Sequence, residues 1–188
     1  VCKTIEDILN KGAHARILEI GTASGVTTKK ILSLIGDKGK LYCCDPFVDY
    51  PDKKDRDNDT VYLRFQNSVK NISNEENFYF KRDKSEVFLK SLVDMGLERS
   101  FDLIFIDGDH STKAVLSDFK YSHTLIKDGG IIIFDDWDWI ARHMRSVPNI
   151  EPPVKIAVEK IIIENNKYYD ILGVSGSSFS IRKKKENQ

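Results

Sequence analysis

Gly129-Gly130-Ile131-Ile132-Ile133-Phe134-Asp135 is the stretch on which the fold turns. Four large apolar residues in a row leave no polar face, so the strand they form is covered on both sides, as in a parallel sheet flanked by helices. The glycine pair in front of them ends a helix read from about Thr112 to Ile126, and Asp135 marks the strand's exit to solvent. Toward the N-terminus the same unit repeats. Phe101–Asp107 reads as a strand feeding that helix, and Phe78–Lys81 as a strand followed by a helix over Ser85–Met95. Lys40–Cys44 is a strand closed by Asp45-Pro46, and Ala15–Ile20 a strand followed by a helix over Val26–Ile35. Helical spacing also shows at Thr4–Leu9 and Val61–Ile72, whereas the mostly charged Asp49–Asp59 has no apolar period and reads as a surface loop on the rim, a candidate lid. Toward the C-terminus, Pro152-Pro153 open a helix to Asn165, and Tyr168–Val174 and Ser178–Arg182, joined through Gly176, suit an antiparallel pair. The basic end Arg182–Gln188 has no pattern and is expected to be disordered.

Repeated strand-helix units predict a doubly wound α/β sheet with right-handed crossovers. Ligands in such sheets bind outside the carboxyl ends of the strands, where the strand order reverses, which directs attention to Gly21, Asp45, Asp83, Asp107 and Asp135. A length of 188 residues corresponds to a single domain over residues 1–188. The first residue is Val1 and no basic-then-apolar leader precedes the first helix, so the chain is expected to be cut from a larger polypeptide and to carry no secretory signal. Lys plus Arg and Asp plus Glu both number 29, which argues against a duplex nucleic-acid partner that needs a strong positive field. The apolar runs fall far short of the ~20 residues of a membrane span. Three cysteines, two of them adjacent at Cys43-Cys44, fit neither a disulfide scaffold nor a zinc site. The expectation is a cytoplasmic protein, part of a larger polypeptide or a homo-oligomer, that handles a small-molecule or glycan partner without nucleic acid or membrane.

Glu19-Ile20-Gly21-Thr22-Ala23-Ser24-Gly25-Val26-Thr27 joins the first strand to its helix, where glycines let a ligand approach the backbone and free N–H groups face it. A nicotinamide-binding turn has G-x-G-x-x-G; this one has G-x-x-x-G. With Asp45 at the end of the second strand, the set resembles the class I S-adenosylmethionine-dependent methyltransferases. The blocks Phe101-Asp102-Leu103-Ile104-Phe105-Ile106-Asp107-Gly108-Asp109-His110 and Lys127-Asp128-Gly129-Gly130-Ile131-Ile132-Ile133-Phe134-Asp135-Asp136-Trp137 are more specific. They resemble the metal-dependent branch that methylates sugar hydroxyls of macrolides and aminocoumarins, with catechol-type O-methyltransferases alongside. The resemblance spans about residues 12–182. It implies a Rossmann-like, seven-stranded, mostly parallel sheet with an antiparallel last strand. It also implies Glu19, Gly21, Thr22, Ser24 and Gly25 around the methionine part of the cofactor, Asp45 at the ribose, Asp83 and Ser85 near the adenine, and Asp107 beside the cofactor. The family at large has a second glycine where this chain has Ala23. Where relatives have Gly-Asp-Ser, this chain has Arg82-Asp83-Lys84, and Ser85 can equally cap its helix.

Asp107 ends the fourth strand and Asp135 and Asp136 the fifth, strands that the resemblance makes neighbours, about 4.8 Å apart. Three carboxylates so close need a compensating charge, which a hard divalent cation supplies. Oxygen ligands favour Mg²⁺, or Mn²⁺ or Ca²⁺. Consecutive strand residues point to opposite faces, so Asp135 and Asp136 share an ion only if the strand bends; otherwise Asp136 caps the next segment and no metal binds. Methyl transfer to an alcohol requires removal of the hydroxyl proton. His110 is the first candidate base, since histidine titrates nearest neutrality, and Asp109 the second. Trp137, Trp139 and Arg142 follow the acidic pair and suit a sugar face or an aromatic acceptor; Trp139 alternatively closes the core edge. The reading is an O-methyltransferase of a sugar, glycan or small natural product. The alternatives are a phenolic or catechol acceptor, or a non-catalytic nucleotide-binding module of a larger protein.

Overall fold

The computed structural model describes residues 1–12, 14–48, 57–141 and 146–185. The elements run α1 Cys2–Leu9, β1 Ala15–Ile20, α2 Val26–Ile35, β2 Gly39–Cys44, α3 Asn58–Val69, β3 Phe78–Lys81 and α4 Ser85–Asp94. They continue with β4 Phe101–Ile106, α5 Thr112–Leu125, β5 Ile126–Phe134, α6 Pro153–Asn165, β6 Tyr169–Ser175 and β7 Ser178–Lys183. The strands form one seven-stranded sheet in the order β3-β2-β1-β4-β5-β7-β6. The first five are parallel, and β7 inserts antiparallel between β5 and β6. The last strand in sequence is thus antiparallel but not the edge. Strand order reverses between β1 and β4, the place where an open sheet leaves a crevice.

Two apolar layers hold this arrangement. Leu18, Ile20, Ile104 and Phe134 point to the face covered by α4, α5 and α6 through Phe88, Leu92, Val115 and Val158. Ile17, Leu41, Leu103 and Ile133 point to the other face, under α1, α2 and α3 with Ile5, Ile31, Leu32 and Phe65. Every residue of β4 is buried, as double coverage of a central parallel strand demands. One of them is charged. Asp102 accepts a hydrogen bond from the Arg16 backbone N–H at 2.8 Å and pairs with Lys127, so a buried carboxylate ties three chain segments together. Among the described residues no helix is long and apolar enough to cross a membrane.

Two of the differences from the sequence reading have a clear physical cause. The third helix begins at Asn58, three residues ahead of the apolar period, because Asp57 caps it by accepting the Thr60 N–H at 3.1 Å. The charged stretch read as a loop therefore ends inside a helix, and its residues 49–56 lie outside the described residues. The fifth strand is entered at Ile126, opposite Phe101, and regains its partner only where Ile131 faces Leu103. Lys127–Gly130 bulges between these pairings, with Gly129 at φ +76° and Asp128 paired with Arg99 at 2.6 Å. The glycine pair sits in a bulge within the ladder rather than between a helix and a strand. The basic end is not patternless from Arg182 as expected: Arg182 lies within β7, paired with Ile131, and Lys183 donates to the His123 carbonyl at 2.9 Å, while residues 186–188 are outside the described residues.

The sheet's carboxyl edge positions everything that follows. Ile20 pairs with both Cys44 and Ile106, and Ile106 with Phe134, so the strands end in step. The ladder runs one bond further through Gly21 N to Cys44 O at 2.9 Å, Asp107 N to Ile20 O at 2.8 Å and Asp135 N to Ile106 O at 3.0 Å. Gly21 has φ +88°, and a Cβ there would lie 2.6 Å from the Asp107 carbonyl carbon and 2.7 Å from the Gly108 Cα. Both neighbours are backbone and cannot step aside. Gly96 also has a positive φ, +73°, with nothing within 4 Å of its virtual Cβ. Gly96→Ala is therefore expected to cost about 1 kcal/mol of unfolding free energy from backbone strain alone. Gly21→Ala, with overlap added, should cost about 2–4 kcal/mol. Urea denaturation of the two variants checks this, and equal losses would mean that the close approach carries no energy.

Candidate functional site

The turn from β1 into α2 takes three left-handed residues, Gly21, Ala23 at φ +45° and Gly25 at φ +81°. Ala23 occupies a conformation that glycine adopts without strain, which is the physical content of a second glycine at this position. Asp45 fixes the turn. Its Oδ2 accepts the backbone N–H groups of Thr22 at 3.1 Å and Ala23 at 2.8 Å, and its Oδ1 accepts that of Phe47 at 2.8 Å. A carboxylate has about four acceptor positions, so roughly one remains for a hydroxyl.

Behind the turn, Glu19 is fully buried. Its Oε2 accepts the Thr28 hydroxyl at 2.7 Å, while Oε1 has no hydrogen-bond partner among the described residues, nor does the buried Thr22 Oγ1. Burial first, and the charges of Asp107 and Asp45 after it, push the Glu19 carboxyl up to about 8 against the pull of the Thr28 bond. Two orphaned polar atoms beside a glycine turn are what a bound polar ligand would satisfy.

In front of the turn lies a cavity of about 470 Å³, walled by Gly21, Cys44, Ser85, Gly108, Asp109 and Asp118 among others. Its size suits a nucleoside. Ser85 is the first residue of α4 and faces this space, whereas Asp83 does not line it and accepts the Lys84 N–H at 2.8 Å. Ser24 and Gly25 line a different groove, on the α2 side with Val26 and Lys29. Asp118 was not singled out by the sequence reading. It shares the buried face of α5 with Val115, Phe119, Ser122 and Leu125, and a lone acid at that helical spacing is the signal that could have found it.

Beside the cavity, His110 Nε2 stands 3.5 Å from Asp107 Oδ1 and 3.4 Å from Asp136 Oδ2. Asp107, His110 and Asp136 each offer one ligand atom, all within 4.8 Å of one another. Burial raises the Asp107 carboxyl above its ordinary range; its hydrogen bond with His110 opposes this, and the charges of Asp135 and Asp136 add to it. Asp135 itself is turned elsewhere. Its Oδ1 accepts the hydroxyls of Ser177 at 2.9 Å and Ser178 at 2.6 Å, which fastens the β6–β7 turn to the rim. Asp136 has φ +53°, so the chain bends directly after β5 and brings this second acid to Asp107 and His110 beyond β4. Asp109 Oδ1 accepts the Ser111 N–H at 2.8 Å at the start of α5.

Of the aromatic pair, Trp137 stacks on Phe179 with centroids 4.5 Å apart and packs at the core edge. Trp139 sets its ring edge-on to His110 at 5.2 Å and, with Asp136, Asp138 and Ile140, walls an open hollow next to the acids. Arg142 lies outside the described residues. The rim thus carries a nucleoside-sized cavity, a charge-dense trio and a hollow walled by Trp139.

Several known proteins are similar to this chain in sequence or in fold. An uncharacterized protein of Acanthamoeba polyphaga mimivirus is 29% identical over 168 residues, 83% of this chain and 66% of that protein. A Dictyostelium discoideum protein named probable caffeoyl-CoA O-methyltransferase 1 is 26% identical over 140 residues, 73% of this chain and 54% of its own. The chain thus spans between about half and two thirds of the length of these curated relatives. In fold it is similar to the O-methyltransferase of Bacillus cereus solved in complex with SAH, with a TM-score of 0.68 at 17% identity, covering 98% of this chain and 80% of that one. Residues 18–137 match the family model described as a methyltransferase domain, and they contain the glycine turn, the cavity's rim acids and the Asp107–His110–Asp136 trio; the chain belongs to this methyltransferase family.

Proposed function

We propose that the chain is an S-adenosylmethionine-dependent O-methyltransferase that acts, with a divalent cation, on a hydroxyl of a sugar, glycan or small natural product. The observation that carries the reading is the Asp107–His110–Asp136 trio set against the glycine turn, with Asp107 in backbone contact with Gly21. The donor cofactor fits the residues present. Glu19 Oε1 and Thr22 Oγ1 lack partners where an α-ammonium and carboxylate would lie, Asp45 retains an acceptor position for a ribose hydroxyl, and the cavity beside Ser85 takes the adenine. Gly21 keeps the backbone out of the space. Bound there, the cofactor would supply an electrophilic methyl on a sulfonium.

A cation fits as well. Two carboxylate oxygens and an imidazole nitrogen converge within 4.8 Å, with Nε2 of His110 3.5 Å from Asp107 and 3.4 Å from Asp136. Asp107 and Asp136 would hold Mg²⁺ or Mn²⁺, and such an ion lowers the pKa of a coordinated hydroxyl. The residues then divide the work. His110 receives the acceptor's proton, the two carboxylates flanking it stabilise the resulting imidazolium, Trp139 covers one edge of the ring, and Asp109 holds the start of α5. A phenolic acceptor is the second reading, favoured by the relatives named as caffeoyl-CoA O-methyltransferases. A phenol near pKa ~10 needs less help from a base than an alcohol.

Three outcomes are expected. Excess chelator should abolish turnover, Mg²⁺ or Mn²⁺ should restore it, and Asp107→Asn or Asp136→Asn should imitate chelation; full activity with chelator present would remove the cation. His110→Ala should lower kcat by ~10²–10⁴-fold with an alcohol acceptor. Binding of S-adenosylhomocysteine should be unaffected, and Mn²⁺ affinity, read by titration, should be retained; a loss of Mn²⁺ binding instead would make His110 a ligand, and a mild effect on kcat would favour a phenol. Glu19, protonated below about 8 in the empty site, would be held ionised by a cationic ligand. Its folded pKa then falls on binding, so binding releases a proton between the two values and affinity for the cofactor rises with pH up to about 8. Calorimetry in buffers of different ionisation enthalpy measures that proton. Glu19→Gln should erase it, and an unchanged proton release would place it on another group.

A further inference from the structure

The turn that joins β6 to β7 touches the rim at a point 42 residues earlier in the chain. Ser177 and Ser178 both donate their hydroxyls to one oxygen of Asp135, Oδ1, at 2.9 and 2.6 Å. Two donors take both lone pairs of that oxygen, so the carboxylate is held in one orientation. Ser177 makes a second contact: its carbonyl accepts the Trp137 backbone N–H at 2.7 Å, and the Trp137 ring stacks on Phe179 with centroids 4.5 Å apart. The hairpin thus grips the chain on both sides of Asp136.

The hairpin does not need these hydroxyls to stay on the sheet. β7 already pairs with β5 from Arg182 opposite Ile131 to Phe179 opposite Phe134, and the ladder ends there. What the serines fix is the stretch beyond the ladder, where Asp136 has φ +53°. A residue other than glycine keeps a left-handed conformation only where its surroundings over-determine it. Asp135 is held on one flank and Trp137 on the other, and the Trp139 N–H donates to the Asp136 carbonyl at 3.0 Å to close the bend. The result is that Asp136 Oδ2 stands 3.4 Å from His110 Nε2, in one group with Asp107.

We propose that Ser177 and Ser178 are positioning residues for the cation site: by fixing Asp135 they keep the bend at Asp136 and so set the affinity of the Asp107–His110–Asp136 trio for a divalent ion. The inference rests on the cation reading above and adds to it a turn that lies outside the trio. Ligands of a metal are oriented by hydrogen bonds from groups that never touch the ion. Without the serines, Asp136 is free to take right-handed conformations that carry its carboxylate away from Asp107, and the ion must then order the bend as it binds. The sign of the effect separates this from simple attraction. Stripping two donors from Asp135 leaves its charge less neutralised, which by itself draws a cation more strongly, so a fall in affinity reports positioning.

The test is Mn²⁺ binding to the whole chain without acceptor, read from the free-ion signal in electron paramagnetic resonance, beside calorimetric binding of S-adenosylhomocysteine. Ser177→Ala and Ser178→Ala together should weaken Mn²⁺ by about tenfold or more. Ser178→Thr keeps the hydroxyl and should stay within about twofold of the unaltered chain. Ser175→Ala, in the same turn, takes no donor from Asp135 and should do the same. Affinity for S-adenosylhomocysteine should hold within about twofold throughout, because Asp45 and the glycine turn are fixed by other contacts. Unchanged or tighter Mn²⁺ binding in the double variant overturns the proposal. So does a parallel loss of both ligands, which marks general damage to the fold. Should the double variant not fold, Ser178→Ala alone, expected to lose about threefold with the threonine restoring it, decides the same question. An unaltered chain that takes up no Mn²⁺ overturns the cation reading itself, whereas Mn²⁺ binding that ignores the serines overturns only their part.

Discussion

The contact between the glycine turn and the Asp107 backbone is the constraint on which the site depends. Parallel strands β1 and β4 end in step, and each must turn into a helix on an opposite face of the sheet. The two turns therefore part at this point, and the gap between them is the crevice. Only a residue without a Cβ lets the first turn lie against the second, and Asp45 then holds it there through three backbone N–H groups. Neither device catalyses anything. Together they set where a ligand's methionine and ribose ends can lie relative to Asp107, with no moving part.

The rim is built with more negative charge than it can keep on its own. Glu19, Asp107 and Asp118 all have carboxyls raised by burial, and in each case desolvation exceeds the hydrogen bond that opposes it. Lys84 and Lys113 line the same cavity, while Lys127 and Arg99 are engaged by Asp102 and Asp128. Each raised acid faces a different part of the crevice: Glu19 the base of the turn, Asp118 the cavity wall, Asp107 the trio with His110 and Asp136. A ligand with separate cationic, amino and metal-bound parts would relieve all three.

The hairpin of β6 and β7 has a part in the site through Asp135. By accepting two serine hydroxyls from the hairpin turn, that acid links the antiparallel edge of the sheet to the crevice, and Trp137 stacked on Phe179 reinforces the link. The left-handed Asp136 then bends the chain away. Two adjacent acids thus have different work: one anchors an edge, the other faces His110. Consecutive strand residues would point to opposite faces, and the bend is what makes the division possible.

Much of this was legible in the sequence. The Ile131–Phe134 run, the Gly21–Gly25 turn and the recurrence of an acid after each strand sufficed for a doubly wound sheet and for the rim that holds the site, because burial on both faces and tight turns leave marks in local composition. The helix beginning at Pro153 followed from proline's fixed φ. What local pattern could not carry was decided by partners distant in the chain. The Asp57 cap, the bulge at Lys127–Gly130 and the burial of Asp102 depend on neighbours that only packing supplies. Asp135 and Asp136 read alike as a sequence, and their roles parted only when the hairpin serines and one left-handed residue were in place. Asp118 read as one more charge on a helix until the fold turned that face inward, because a side chain's solvation belongs to the tertiary structure and not to the residue.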